Sequence, residues 1–218
     1  MRKTLAAFAL TFCLSGLAVA QQAVSVDRVA EDLDRHYNEL RSLRATFSET
    51  YRGAGITRTE SGTLWLSRPG KMRWEYTEPR EKLFVSDGKT AYFYVPGERQ
   101  ARKAPLDKLD DLRSPLRYLL GKTKLKKEFE NLTARAGDQP GTVVVRGVPK
   151  NMGDRVAEVS LDVNSAGEIQ RIEINEVDGS QTEFVFSSQE ENVHVEQARF
   201  RFQPPPGVKL IEGTAVAP

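Results

Sequence analysis

Between Ala45 and Ala104 the chain keeps a cadence that few folds accommodate. The runs "TLWLS", "MRWEY", "KLFVS" and "TAYFYV" are short and rich in aromatic and β-branched residues. They are separated by the turn signals Arg68-Pro69-Gly70, Glu78-Pro79 and Asp87-Gly88, and Pro96-Gly97 closes the last. Connections this short leave no room for a crossover helix, so successive strands must be antiparallel neighbours.

The pattern returns in the second half at Thr142 to Arg146, Val156 to Val163, Ile169 to Glu176 and Thr182 to Ser187. Ala157, Val159, Leu161 and Val163 fall on one face opposite Glu158, Ser160 and Asp162, and Ile172 and Ile174 face away from Arg171 and Glu173. Each such strand has one buried and one wet side. Asn164-Ser165-Ala166-Gly167 and Asp178-Gly179-Ser180 are hairpin connections. The closing "FRFQPPPGVKLIEG" offers a short strand, a proline corner and a final strand from Val208 to Ile211, placed at a sheet edge where proline is tolerated.

Two segments have a different period. In residues 24–43, Val26, Val29, Leu33, Tyr37, Leu40 and Leu43 recur at spacings of three and four, the apolar stripe of a helix with Ser25 at its N-cap. The stretch 105–126 carries Leu106, Leu109, Leu112, Leu116, Leu119 and Leu120 and reads as one or two short helices broken at Ser114-Pro115. The expectation is one many-stranded antiparallel sheet, curled into a barrel, with helices laid over it.

Arg2 and Lys3, the apolar run Leu5 to Leu17 and Ala18-Val19-Ala20 make residues 1–20 a cleavable signal peptide, leaving 21–218 as a single domain. The run is shorter than the roughly 20 residues of a membrane span. Cys13 follows Phe12 inside it, which does not fit a lipoprotein signal. Cleavage removes Arg2, Lys3 and that single cysteine, so 30 basic residues face 30 acidic ones and the core must hold without a disulfide. Zero net charge gives no reason to expect nucleic acid.

Chemistry is scarce. There is no Gly-x-Ser-x-Gly, and after cleavage there is no cysteine. His36 and His194 are solvated or partly packed, and two histidines without cysteine make no zinc site. Gly88-Lys89-Thr90 and Gly121-Lys122-Thr123 lack the earlier glycine of a phosphate loop, since Leu83 and Leu116 stand there; the first reads as a hairpin turn, the second as a helix end. Lys122, Lys124, Lys126 and Lys127 read either as a site for anionic headgroups or an acidic partner or, in preference, as a solvated basic face balanced by Glu128 and Glu130. No cofactor or metal is implied.

The run "GTLWLSRPGKMRWEYTEPREKLFVSDGKTAYFY" closely resembles the core of LolA, the family of periplasmic carriers of outer-membrane lipoproteins. The resemblance continues through "ATFSET", the leucines around Pro115, "SLDVNSAGEIQRIEI" and "ARFRFQPPPGV". It implies an unclosed antiparallel β-barrel covered by a helical lid, enclosing an apolar cavity for acyl chains. It also implies a periplasmic monomer without catalysis, an acylated lipoprotein as cargo, a LolCDE-type inner-membrane ABC transporter as donor and a LolB-type outer-membrane receptor as acceptor.

In the family the arginine of the Arg-Pro corner bonds to lid backbone and favours the closed, unloaded form; that position is Arg68. Four residues on, Met72 stands where an aromatic residue is common. The candidates for contact with acyl chains are Met72, Trp65, Trp74, Phe84, Tyr92, Leu112, Leu116 and Leu119. Strand alternation puts neighbours such as Tyr92 and Phe93 on opposite sides, so the aromatic residues do not all line one cavity. The same cavity would serve a carrier of another lipid or apolar molecule, and an RseB-like sensor would use a LolA-like domain beside an additional one.

Overall fold

The computed structural model describes residues 24–106, 124–150 and 152–213. The expected signal peptide and the leucines Leu112, Leu116 and Leu119 lie outside them. Ser25 begins the first element as the sequence implies: its Oγ accepts from the backbone N–H of Arg28, and helix α1 follows over Val26–Glu39. Ala30, Leu33 and Tyr37 form its buried stripe. The helix stops earlier than the apolar spacing suggests, because Leu40 turns extended, and Leu43 is already a buried residue of the first strand.

That strand, β1 (Ser42–Gly53), runs antiparallel to β2 (Ile56–Ser67) over its full length, from Ser42 opposite Ser67 to Gly53 opposite Ile56. A meander continues through β3 (Lys71–Glu78), β4 (Lys82–Asp87), β5 (Thr90–Tyr94) and β6 (Gln100–Pro105). After the short helix α2 (Leu125–Glu128), a second meander comprises β7 (Phe129–Ala136), β8 (Val143–Pro149), β9 (Val156–Val163), β10 (Ile169–Glu176) and β11 (Gln181–Glu191). The two meet where β11 pairs with β1, Phe186 opposite Phe47. The final β12 (Lys209–Glu212) lies parallel to β6, so the chain end forms an edge strand.

Among the described residues these twelve strands make one sheet, ordered β12-β6-β5-β4-β3-β2-β1-β11-β10-β9-β8-β7, antiparallel except at β12. The protein is therefore mainly β, and the sheet is not closed: β7 and β12 are its two edges. One buried cluster takes Phe84 from one half, Val145 from the other and Leu33 from α1, so the sheet curls around its core and α1 packs on the concave side. The Tyr37 hydroxyl fixes the helix by accepting from the Ile169 N–H at 2.8 Å, and burial raises the Tyr37 pKa far above the phenolic range.

Two local readings are corrected. Ala157 is exposed while Val156 is buried, because the β9–β10 register jumps from Glu158 opposite Asn175 to Val156 opposite Glu176, a bulge that reverses parity at that point. The short strand expected at the start of "FRFQPPPGVKLIEG" does not form: Phe200 is buried as the last residue of a 3-10 turn, Gln197–Phe200, and Arg201 and Phe202 follow outside any strand.

Candidate functional site

Strand parity decides which side chains face the concave side. Register places Leu66 beside Met72, Leu64 beside Trp74, Trp74 beside Phe84 and Phe84 beside Phe93. Phe47 and Phe186 continue the row across β1 and β11. Met72, Trp74 and Phe84 are each 1% exposed or less. The ring of Phe47 meets Trp74 at 4.6 Å and Tyr76 at 4.9 Å, both edge-on, the geometry that aromatic quadrupoles favour. Gly62 lies opposite both Phe47 and Tyr76, and any side chain there would run into the Glu75 carbonyl.

Methionine at position 72 has a role in this packing. The buried Trp74 indole N–H needs an acceptor, and the Met72 Sδ takes it at 3.2 Å. A phenylalanine there would offer no such atom.

Trp65 and Tyr92, expected among the lining candidates, are not with them. Trp65 pairs with Arg73 and Tyr92 with Val85, which puts both on the convex face. There they anchor the segment that follows β11. The Arg199 guanidinium stacks over Trp65 at 4.5 Å, and Tyr92 stacks on Phe202 at 5.3 Å. Arg73 donates to the Arg199 carbonyl at 3.0 Å. These two aromatic residues bind the protein's own C-terminal strap.

Arg68 lies on the β2–β3 connection. Its backbone N–H donates to the Arg41 carbonyl at 3.0 Å, and its Nη2 donates to the Tyr37 carbonyl in the last turn of α1. A cation at a helix C-terminus satisfies an orphan carbonyl and complements the helix dipole. Its Nε is buried without a hydrogen-bond partner, and burial lowers the guanidinium pKa. The corner is held from the other side by the β4–β5 turn. There the Ser86 Oγ donates to the Gly70 carbonyl at 3.0 Å and accepts from the Gly88 N–H, and Leu106 N–H donates to the Lys89 carbonyl. The Asp87 carboxylate caps that turn by accepting from Lys89 and Thr90 N–H groups, both at 2.8 Å, which confirms a hairpin in place of a phosphate loop.

A second polar group lies at the opposite end of the concave face. Glu49 and Glu60 face each other across β1 and β2 and are almost fully buried. The Tyr76 hydroxyl donates to Glu49 Oε2 at 2.6 Å, and the Lys82 ammonium donates to Glu60 Oε2 at 2.6 Å while standing 4.2 Å from the Tyr76 ring centre. Burial raises the Glu49 pKa above the usual carboxylate range, opposed by the Tyr76 hydrogen bond and Lys82. Burial and the neighbouring Glu49 both push the Tyr76 phenol up. The sequence carried a signal for this cluster, since Glu49 shares the parity of Ala45 and Phe47, and Glu60 that of Leu64 and Leu66. A carboxylate at a core parity needs a partner on the next strands.

Among the basic residues near α2, Lys126 is engaged, and Lys122 lies outside the described residues. Lys126 contacts Asp27 at 2.8 Å and Glu31 at 3.4 Å, and the Asp34 carboxylate accepts from Leu125 N–H, so α1 and α2 are stitched together. His36 is likewise engaged, its Nε2 lying 2.7 Å from Glu191 Oε1. Among the described residues no group of three or more metal-ligating side chains is assembled.

The family model for the outer membrane lipoprotein carrier protein LolA matches residues 38–203. The chain belongs to the LolA family. An outer-membrane lipoprotein carrier protein of Chromobacterium violaceum is 31% identical over 200 residues, covering 91% of this chain and 93% of its own. That of Serratia proteamaculans is 30% identical over 213 residues, covering 96% and 98%. Among solved structures, an uncharacterized conserved protein from Thermus thermophilus superposes with a TM-score of 0.58 at 11% identity, covering 87% of this chain and 100% of that one. MucB superposes at 0.51 with 14% identity, covering 82% of this chain and 62% of its own. At such identities these two share the fold alone. Family membership agrees with the mainly β, unclosed sheet.

Proposed function

We propose that this protein is a periplasmic carrier that takes acylated lipoproteins from a LolCDE-type ABC transporter of the inner membrane and passes them to a LolB-type receptor at the outer membrane. In this reading the chain is cleaved after Ala20 and works as one monomeric, non-catalytic domain. The observation that carries it is membership in the LolA family across residues 38–203. The aromatic and aliphatic row on the concave side supports it, because that row is the chemistry an acyl chain requires.

Energetics restrict the mechanism. Acyl burial contributes roughly 0.8 kcal/mol per methylene, so a lipoprotein with about 40 buried methylenes loses on the order of 30 kcal/mol on entering water unprotected. Release into water is negligible at that cost. The carrier must replace bilayer contacts with its own, and energy for extraction must come from the donor.

Met72, Trp74 and Phe84 form one wall for the acyl chains in this proposal, and Leu112, Leu116 and Leu119 supply the covering side. Arg68 acts as the latch of the unloaded form. A guanidinium has five donors and no acceptor, so it holds carbonyls without reacting and is released when a ligand displaces them. The test adds the purified mature protein to spheroplasts that display a labelled acylated lipoprotein. Appearance of a soluble complex with that cargo, and none with a lipoprotein retained in the inner membrane, supports the reading. No soluble complex in the presence of an active donor overturns it. A Leu116→Gln variant is expected to load less, and equal loading would move the covering side elsewhere.

A further inference from the structure

The two most exposed large apolar side chains among the described residues lie at the same end of the sheet, at the tips of two hairpins. Ile56 is 58% exposed and Val177 57%. Ile56 opens β2 at the tip of the β1–β2 hairpin, and Val177 lies in the β10–β11 turn. Strands β1 and β11 are neighbours, paired as far as Arg52 opposite Gln181, so the two tips share the end of the sheet remote from Arg68. The hairpin also projects: the last β2–β3 pair is Ser61 with Glu78, so the ribbon beyond it has no strand on that side.

The turn itself departs from what stability alone would choose. Ala54 and Gly55, with φ of 49° and 76°, form a two-residue loop of the kind that prefers Asn-Gly or Asp-Gly. Alanine in the left-handed region bears strain without the local hydrogen bonds that asparagine supplies. The result is a tip, Gly53 to Thr57, that carries no charge. Behind it come Tyr51, Arg52 and Arg58, with the Arg58 guanidinium 6.0 Å from the Tyr51 ring centre. The two arginine side chains are 48% and 58% exposed, Arg52 near Glu183 and Arg58 near Glu60.

Directly behind the aliphatic tip Arg52 stands opposite Thr57, and Tyr51 stands opposite Arg58; an aliphatic tip backed by guanidinium groups and an aromatic ring is a composition that a bilayer interface selects. Asp178 sits next to Val177, its carboxylate accepting from the Ser180 N–H, and Glu176 precedes it, so this turn stays at the water boundary and penetration is shallow. We propose that the paired tips, Gly53–Thr57 and Val177, dock onto a bilayer surface containing anionic lipid, so that the protein meets a membrane with the end opposite its arginine corner. This goes beyond the carrier reading and does not rest on it, because cargo-free protein suffices for the test.

The test places a polarity-sensitive fluorophore on Ile56→Cys and, as a control, on Thr133→Cys, and adds vesicles of phosphatidylethanolamine with and without phosphatidylglycerol. A blue shift at position 56 alone, stronger with phosphatidylglycerol, is expected. The variant Ile56→Ser with Val177→Ser should float with vesicles about tenfold less than the unaltered protein, the effect of withdrawing one aliphatic side chain's burial or more. Ala54→Asn separates the two roles of the turn: it should raise the melting temperature and weaken vesicle binding. Absence of a blue shift with vesicles, or equal flotation of the double variant, overturns the proposal. A shift that grows with protein concentration and without lipid also overturns it and assigns the tips to contact between copies.

Discussion

Replacing Lys82 by methionine tests whether the buried cluster at the far end of the concave face is held by its one internal cation. Methionine keeps much of the stem volume and removes the ammonium between Glu60 and the Tyr76 ring. Glu60 is 8% exposed and Lys82 15%, in contact at 2.6 Å, so the pair is shielded from water. Removing one partner of such a pair costs about 3–5 kcal/mol, because the other charge stays buried alone. Arg58, 3.4 Å from the same Glu60 oxygen, offsets part of this, which sets the expectation at ~3 kcal/mol. In a domain of this size that corresponds to about 6–12 °C in the thermal midpoint. Lys82→Met combined with Glu60→Gln should recover most of the loss. Urea unfolding followed by tryptophan fluorescence measures all three proteins. A loss under about 1 kcal/mol, or a double variant as unstable as the single, would refute the account of a desolvated pair.

Glu49 has a raised folded-state pKa, so the folded protein holds its proton more tightly than the unfolded chain does, and the associated stability is present at low pH and lost as pH rises through the raised value. Glu49→Gln removes that dependence; thermal melts across the acid range should show the variant gaining on the unaltered protein as pH rises, and a gain in the other direction would contradict the assignment. Arg68→Leu should keep cargo uptake and impair handover to the acceptor, and loss of the charge-assisted bond to Tyr37 should cost about 1.5–3 kcal/mol in chemical unfolding. Trp74→Ala should destabilise by about 3–5 kcal/mol because the ring is fully buried, whereas Trp65→Ala, on the convex face, should leave cargo loading unchanged in the spheroplast assay.

The meander from β2 to β5, the β9–β10–β11 hairpins and the N-cap of α1 were legible because turn chemistry and alternation speak locally. Strand β7 was not: "FENLTARA" sits at a sheet edge with mostly exposed side chains, so no face of it needs to be apolar. Ala157 misled because a single extra residue in β9 reverses parity, and nothing in the side chains themselves announces a bulge. Aromatic character alone did not tell Trp65 and Tyr92 from Trp74 and Phe84. Both faces of this half of the sheet are covered, one by the core and the other by Arg199 and Phe202, and that second cover comes from more than a hundred positions along the chain. The resemblance to the family led to Arg68, and the corner around it is built from short-range contacts that the motif itself encodes, whereas its Tyr37 acceptor belongs to α1.

The seam between β1 and β11 governs how the chain reaches this state. Thr46 and Ser187, hydrogen-bonded across it, are 141 residues apart. Two meanders can each assemble from neighbouring segments, but the junction that makes them one sheet requires a strand near the start of the fold to wait for one near its end. Closing so long a loop is slow. Until it closes, β1 presents a twelve-residue edge rich in backbone donors and acceptors to any passing strand. Synthesis and delivery of this protein are therefore a race between that closure and intermolecular pairing, and a helper that shields β1 until residues 181–191 arrive would decide the yield.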